Sequence, residues 1–417
     1  MSQSDPKTHA PLKPKRRWLR YSLRTMLALV TLLCLWLGLV VHRANKQKRV
    51  VEIVRSVGGR ADYDKGINPS IVTWLSGVVG EDYVYPVRGV HLKGDGVTGE
   101  VLKHLQELPR LSRLEFYETN LSDDELRYLE PLGELWLLRV DSAHVTDAGL
   151  ARLRGFKRLI DLTLRGSRIT DAGLKELQGL TRLTVLALID TRVTDHGLDY
   201  LLGMNLQLLW LVNCPVSDAG MKKLAAFPEL TSVSLDGTRI TDAGLQDLTA
   251  LREVNFLSLA ETGVTDAGLA NLKAFPKLDD LSLAKTQVTD AGLVHLGKLT
   301  ALKRLVLYGT KITDAGLAHL KPIAANFNES ICPDLHVDHT NVTQEGLFRL
   351  LYGKFYIKDK VRLVHDVGAE LKAGMKGVVT QAYRGYRLAK YDVAIVGGDG
   401  KPLNGSMLLE GDLEKDE

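Results

Sequence analysis

Eight aspartates, Asp147, Asp171, Asp195, Asp218, Asp242, Asp266, Asp290 and Asp314, recur at a spacing of 24 residues, once shortened to 23. Regular carboxylates invite a calcium reading, but an oxygen cage needs several ligands converging on each ion, and one aspartate per interval supplies only one. Gly-Asp-Gly-Val-Thr-Gly at 94–99 satisfies the glycine pattern of dinucleotide-binding turns. That chemistry requires the phrase to sit between the strand and helix of a βαβ unit, whereas Asp95 and Val97 fall on positions of a longer repeat. His91, His196, His295 and His336 are far apart, and the chain contains no His-Glu-x-x-His, Cys-x-x-Cys, Walker or Gly-x-Ser-x-Gly sequence. No catalytic residue, cofactor or metal is expected.

The repeat itself is informative. In Leu-Thr-Val-Leu-Ala-Leu-Ile-Asp-Thr-Arg-Val-Thr-Asp-His-Gly-Leu-Asp-Tyr-Leu (183–201), apolar positions Leu183, Leu186, Leu188, Val193, Leu198 and Leu201 surround a turn residue, Thr191. The turn position returns as Asp95, Thr119, Ala143, Ser167, Thr191, Cys214, Thr238, Thr262, Thr286, Thr310 and Thr340. Leu186-x-Leu188 has the period of a strand, and Leu198 with Leu201 that of one helical face. Each aspartate stands at a helix entry, where a carboxylate can accept from unpaired backbone N–H groups. A single such unit cannot bury its leucines, so the units must stack. The expected fold is an α/β solenoid of about eleven turns over residues 87–350, with a parallel sheet on its concave face.

This pattern resembles the leucine-rich repeat, specifically the short Thr-Asp-Ala-Gly-Leu class related to cysteine-containing and ribonuclease-inhibitor-like repeats. The resemblance implies the fold and says almost nothing about a ligand.

Two outward strand positions per turn line the exposed side of the sheet. They place Trp210 between Ala187 and Ser234, with Ile189 and Val212 alongside, as an apolar saddle. Tyr117, Arg139 and Arg165 form a more polar stripe toward the N-terminal end; Asp236 lies beyond the saddle and Tyr308 toward the far end. These eight residues are the expected partner-binding face. Trp210 has two open readings: an anchor for a protein partner, or a lid over its neighbouring coils.

Residues 25–41 carry no charge. Their seventeen residues span about 25 Å as a helix, the short end of what crosses a bilayer. Seven Lys/Arg precede the run and four follow directly, favouring a cytoplasmic N-terminus (1–24) and an extracytoplasmic body. Three readings remain: an anchor, a cleaved signal peptide, which lacks its small-x-small site, and a buried helix. Within the first 60 residues thirteen Lys/Arg face only Asp5 and Glu52, so the net charge of +4 leaves an acidic body, which argues against nucleic acid. Cys34 lies in the apolar run, and Cys214 and Cys332 fall in distant turns of the register, so no disulfide framework is expected and the latter two are expected as thiols.

Residues 42–86 are expected to cap the array. A helix ending at Gly58-Gly59 would bury Val50, Ile53, Val54 and Val57, and a second would carry Ile71, Trp74 and Leu75. The N-terminal layout also resembles that of membrane-anchored repeat proteins of planctomycete-type bacteria. The last coil, with its extra length and Cys332, reads as terminal. Residues 351–417 change to short strands, Val361–Val364, Gly377–Gln381, Tyr391–Val396 and Gly405–Leu409, around a Gly-Gly-Asp-Gly-Lys-Pro turn. They resemble small SH3-like β domains, which implies a small all-β barrel. The function expected is a non-catalytic, membrane-anchored scaffold that binds a protein of unknown identity. The alternatives are an envelope-organising element, or an enzyme with an unrecognised site at the C-terminal domain.

Overall fold

A computed structural model describes residues 23–66, 70–166, 168–327, 335–343, 346–347 and 350, and five strands between 360 and 415. Helix α1 (Leu23–Ser56) runs unbroken through the charge-free stretch and into the cap. Strand β1 (Arg60–Tyr63) pairs antiparallel with β2 (Val87–Lys93). Helices α2 (Ser70–Val79) and α3 (Glu81–Val84) fill the interval between them. Beyond β2 the sheet grows one strand per coil: β3 (Arg113–Tyr117), β4 (Leu137–Asp141), β5 (Asp161–Arg165), β6 (Val185–Ile189), β7 (Leu208–Val212), β8 (Ser232–Ser234), β9 (Phe256–Ser258), β10 (Asp280–Ser282), β11 (Arg304–Val306) and β12 (Leu335–His336). Strands β2 to β12 lie in sequence order, all parallel.

The leucine ladder makes the core. Leu92, Phe116, Leu188, Leu211, Leu235 and Leu307 are fully buried, as are helix-side Leu174, Leu198 and Leu269. Each coil offers an apolar face on both flanks, and only its neighbours cover it, which makes stability a matter of nearest-neighbour stacking.

The turn residues differ in their bonding along the array. Thr238, Thr262, Thr286 and Thr310 donate from Oγ1 to the carbonyls of Leu235, Leu259, Leu283 and Leu307, closing their own turns. Thr191 instead meets the buried Cys214 Sγ at 3.1 Å, and burial pushes that thiol's pKa up. Cys332 lies outside the described residues.

The repeated aspartates do something other than the expected capping of their own helices. The caps are the preceding residues: Thr146, Thr170, Ser217, Thr241, Thr265, Thr289 and Thr313 each accept from the N–H two residues on. The aspartate, at the first helical position in every one of these coils except that of Asp195, which stands two residues before its helical turn, directs its carboxylate to the next coil. Asp147 accepts from the N–H (2.8 Å) and the hydroxyl (2.7 Å) of Thr170. Asp171 holds Thr194, Asp195 holds Ser217, and Asp218 holds Thr241 in the same two-point way. The ladder continues to Asp314, which holds Thr343. The glycine of the phrase follows from this. A Cβ on Gly197 would lie 2.5 Å from Asp171 Oδ1, so a side chain there would displace the carboxylate. Threonine caps and donates, aspartate reaches forward, glycine makes room for the carboxylate reaching from behind, and leucine enters the core.

At the N-terminal end, Ala44, Val50, Val51 and Val54 of α1 are buried against the first coil, with Ile53 and Val57 packed at the margin. Gln47 pins the helix to the start of the sheet: its Nε2 donates to Asp82 O (3.0 Å) and Tyr85 O (2.8 Å), and its Oε1 accepts from Val87 N–H (3.0 Å). The chain leaves α1 through Gly58, whose φ of +76° favours glycine, and a Cβ on Gly59 would meet Val54 O and His91 O at 2.8 Å, so the second glycine is required by the close approach of α1 and β2. Span and cap are therefore one helix of about 51 Å, not two elements. Trp74, on the second helix expected for the cap, is 66% exposed. The apolar half of α1 is exposed from Met26 to Val41; by length and composition it meets what a bilayer span requires, a property shared by membrane anchors and signal sequences.

The C-terminal strands do not form the SH3-like barrel expected from sequence. Strands β13 (Lys360–Leu363), β14 (Lys376–Arg384), β15 (Ala389–Val396), β16 (Pro402–Leu409) and β17 (Leu413–Lys415) make an open antiparallel sheet in the order β16-β15-β14-β13-β17. Closure needs the two outer strands to pair with each other. Among the described residues β16 pairs only with β15, and the three-residue β17 only with β13. The Gly-Gly-Asp-Gly-Lys segment (397–401) lies outside the described residues.

Candidate binding face

The parallel register sets the outward side chains in rows. One row runs His91, Glu115, Arg139, Thr163, Ala187, Trp210, Ser234, Ser258, Ser282, Val306 and His336. Two residues on in each strand, Lys93 pairs with Tyr117, and Asp141, Arg165, Ile189 and Val212 follow one another.

The N-terminal third of this face is a chain of alternating acidic and basic side chains. His91 lies 2.7 Å from Asp62 Oδ2 and 3.5 Å from Glu115 Oε1. Burial works against ionisation of Asp62, but the hydrogen bond from His91, with His91, Arg60 and Arg113 as nearby charges, outweighs it and holds the carboxyl below its usual range. The Tyr117 hydroxyl donates to Glu115, and that bond, with burial, raises its pKa. Arg139 reaches Glu115 and Asp161, each at 3.6 Å. Burial pushes the Asp161 carboxyl up, more than Arg139 pulls it down. Asp161 Oδ1 and Arg139 Nε are both buried without a hydrogen-bond partner. Arg165 stands apart, exposed, with Asp190 Oδ2 at 3.5 Å.

In the centre, Trp210 is half-buried. Its Nε1 donates to Ser232 Oγ (3.2 Å), and its ring lies 6.2 Å from that of Phe256, two strands on. The indole is thus engaged along the stacking direction as well as bordering the saddle; Ile189 and Val212 beside it are half-exposed. Asp236 is committed to the neighbouring coils, accepting from Ser258 Oγ (2.5 Å) and Ala260 N–H (2.8 Å). Tyr308 packs edge-on against His339 at 4.9 Å. Tyr117, Arg139, Arg165, Ile189, Trp210 and Val212 therefore share one continuous region, whereas Asp236 is used internally and Tyr308 lies four strands beyond Trp210.

Reading the repeat offsets put Glu115 on the outward row without choosing it for the face, and did not single out Asp62 or Asp161, nor a cleft beside the N-terminal ends of β2 to β5. That cleft, about 640 Å³, is lined by Arg88, Arg110, Arg158 and Arg182 with Glu134 and the 38%-exposed Trp136. Arg110, Glu134, Arg158 and Arg182 recur every 24 residues, so extending the row-by-row reading upstream of each strand would have found it. Asp62 sits on antiparallel β1, outside any repeat offset.

Among the described residues, no group of three or more His, Cys, Asp or Glu is placed to hold a metal ion. The face presents an aromatic hydroxyl, guanidinium groups and an apolar saddle on adjoining strands.

No family model and no curated protein matches this chain. Solved structures do match. One is an internalin (inlF) from Listeria monocytogenes str. 4b F2365, at 20% identity and a TM-score of 0.45, covering 68% of this chain and 85% of that one. The narrower assignment to the short Thr-Asp-Ala-Gly-Leu class, and to planctomycete-type anchored proteins, is not upheld. From its own strand order and core, the chain is an alternating β-α solenoid, consistent with the leucine-rich-repeat fold.

Proposed function

We propose that this chain is a non-catalytic, membrane-anchored scaffold that offers the outward face of its sheet to a protein partner. The observation that carries the reading is the continuity of that face. From β3 to β7, Tyr117, Arg139, Arg165, Ile189, Trp210 and Val212 lie on one side of adjoining strands. At about 4.8 Å per strand they cover roughly 19 Å, a width suited to the aromatic and arginine centre of a protein interface. Asp236, held by Ser258 and Ala260, and Tyr308, four strands beyond Trp210, lie outside this stretch. In this reading α1 crosses the bilayer, and the heavier positive charge before it places the solenoid on the extracytoplasmic side.

Affinity capture of the detergent-solubilised protein from its own envelope tests the face. A reproducible partner, lost on Tyr117→Ala combined with Trp210→Ala, is expected; capture unchanged by both substitutions rejects this face. Protease treatment of intact cells tests the orientation: cleavage of the solenoid only after the membrane is opened would invert it.

A further inference from the structure

We infer that α2 is a second membrane contact, an interfacial helix whose Trp74–Val78 face rests in the headgroup boundary of the bilayer that α1 crosses. The inference rests on the reading of α1 as a span.

Its ten residues, Ser-Ile-Val-Thr-Trp-Leu-Ser-Gly-Val-Val, contain no charge. Trp74 and Val78, four residues apart and so on one helical face, are 66% and 64% exposed, and Val79 is 44% exposed. Outside α1 no other large apolar side chain among the described residues is as exposed as Trp74 and Val78. A surface of this kind has no reason to face water unless something covers it.

The location says what covers it. Gly80, at φ +97°, joins α2 directly to α3. Helix α3 is fastened to α1 just past the apolar run: Tyr83 OH donates to Asn45 Oδ1 (2.7 Å), and Gln47 holds the carbonyls of Asp82 and Tyr85. Asn45 and Gln47 stand four and six residues beyond Val41, about 6 and 9 Å along the helix. The headgroup layer is about 5–8 Å deep on each side of the hydrocarbon, so α3 is tied at the level of that layer or just above it. Tryptophan is the side chain favoured there, its ring apolar and its N–H polar. His42, Arg43, Lys46, Lys48 and Arg49 surround the same level of α1 and suit anionic headgroups. Because α1 is continuous and Gln47 locks it to β2, a second contact through α2 would fix the tilt of the whole solenoid over the membrane.

The test is tryptophan quenching of the full chain reconstituted in phosphatidylcholine–phosphatidylglycerol vesicles, with bromine placed shallow or deep on the acyl chains. Trp74→Phe is expected to remove a share of the shallow quenching comparable to that removed by Trp36→Phe; Trp136→Phe is expected to remove none. If Trp36→Phe lowers quenching while Trp74→Phe leaves it unchanged, the span stands and the inference about α2 is overturned. If neither changes it, the span reading fails and the inference falls with it.

Discussion

Asp147 holds Thr170 of the next coil by two bonds, from the backbone N–H at 2.8 Å and from the hydroxyl at 2.7 Å. The pair joins neighbouring units, and Thr170 at the same time caps its own helix through Ala172 N–H. A double-mutant cycle of Asp147→Ala and Thr170→Ala should therefore show a coupling of about 1 kcal/mol, as for groups in one charge-assisted network. Urea unfolding of the soluble portion from Asn45 onward measures it. Additive costs would mean that the carboxylate does not bridge the coils.

Gly173 occupies the space into which Asp147 projects: a Cβ there would overlap the Asp147 carboxylate, and the next nearest side chain, Ile169, would have its Cγ2 at 3.3 Å. Gly173→Ala should destabilise by about 1–3 kcal/mol through overpacking. In an Asp147→Ala background the added cost should fall to a small fraction of that. Thermal melts of the two single variants and the double variant decide it; an equal cost in both backgrounds would place the clash elsewhere.

Leu211, fully buried between coils, should cost about 2–5 kcal/mol on replacement by Ala. Because stacking is nearest-neighbour, damage to this central coil should uncouple the halves and split a single transition. Calorimetry with hydrogen exchange should find protection lost first around β7, whereas uniform loss along the array would show full cooperativity.

Asp161 has a folded-state pKa raised above its ordinary value of 3.8, by burial first, against the pull of Arg139. The folded state therefore keeps its proton where the unfolded chain has released it. The stabilisation this brings is complete below pH 3.8 and is lost as pH rises through the folded pKa. Asp161→Asn, which does not titrate, should gain on the parent as pH rises from 4 to 7, while Arg139 keeps Glu115 as partner. Urea titrations at both pH values measure the difference, and a variant that loses ground at the higher pH would mean that the Arg139 pair dominates.

The solenoid and the long apolar helix were legible because their signals are local. Leu186-x-Leu188 alternation and the return of Thr-Asp-Ala-Gly-Leu survive in unit after unit, and residues 25–41 carry no charge. The partner of each aspartate was not legible. Position alone puts Asp147 at a helix entry, and nothing in the spacing distinguishes its own N–H groups from Thr170 of the next coil. The C-terminal strands could be marked by their Gly-bounded apolar runs, but closure depends on whether the outer strands meet, which no strand encodes by itself. Of the candidate face, Tyr117 and Arg139 were visible as outward positions. Asp62, which completes the charged end, comes from a strand outside the repeat, and the engagement of Trp210 with Phe256 depends on a rotamer that sequence does not specify.

The most direct measurement for the scaffold reading is site-specific photo-crosslinking in intact cells that make the protein. A photoreactive residue is placed on the sheet face at Tyr117 or Arg165, or on the helical side at Lys222, which lies in the helix Asp218–Leu224. A discrete heterologous protein adduct from Tyr117 and Arg165, with none from Lys222, is expected. Adducts from Lys222 alone, or from none of the three positions, would contradict recognition through this face.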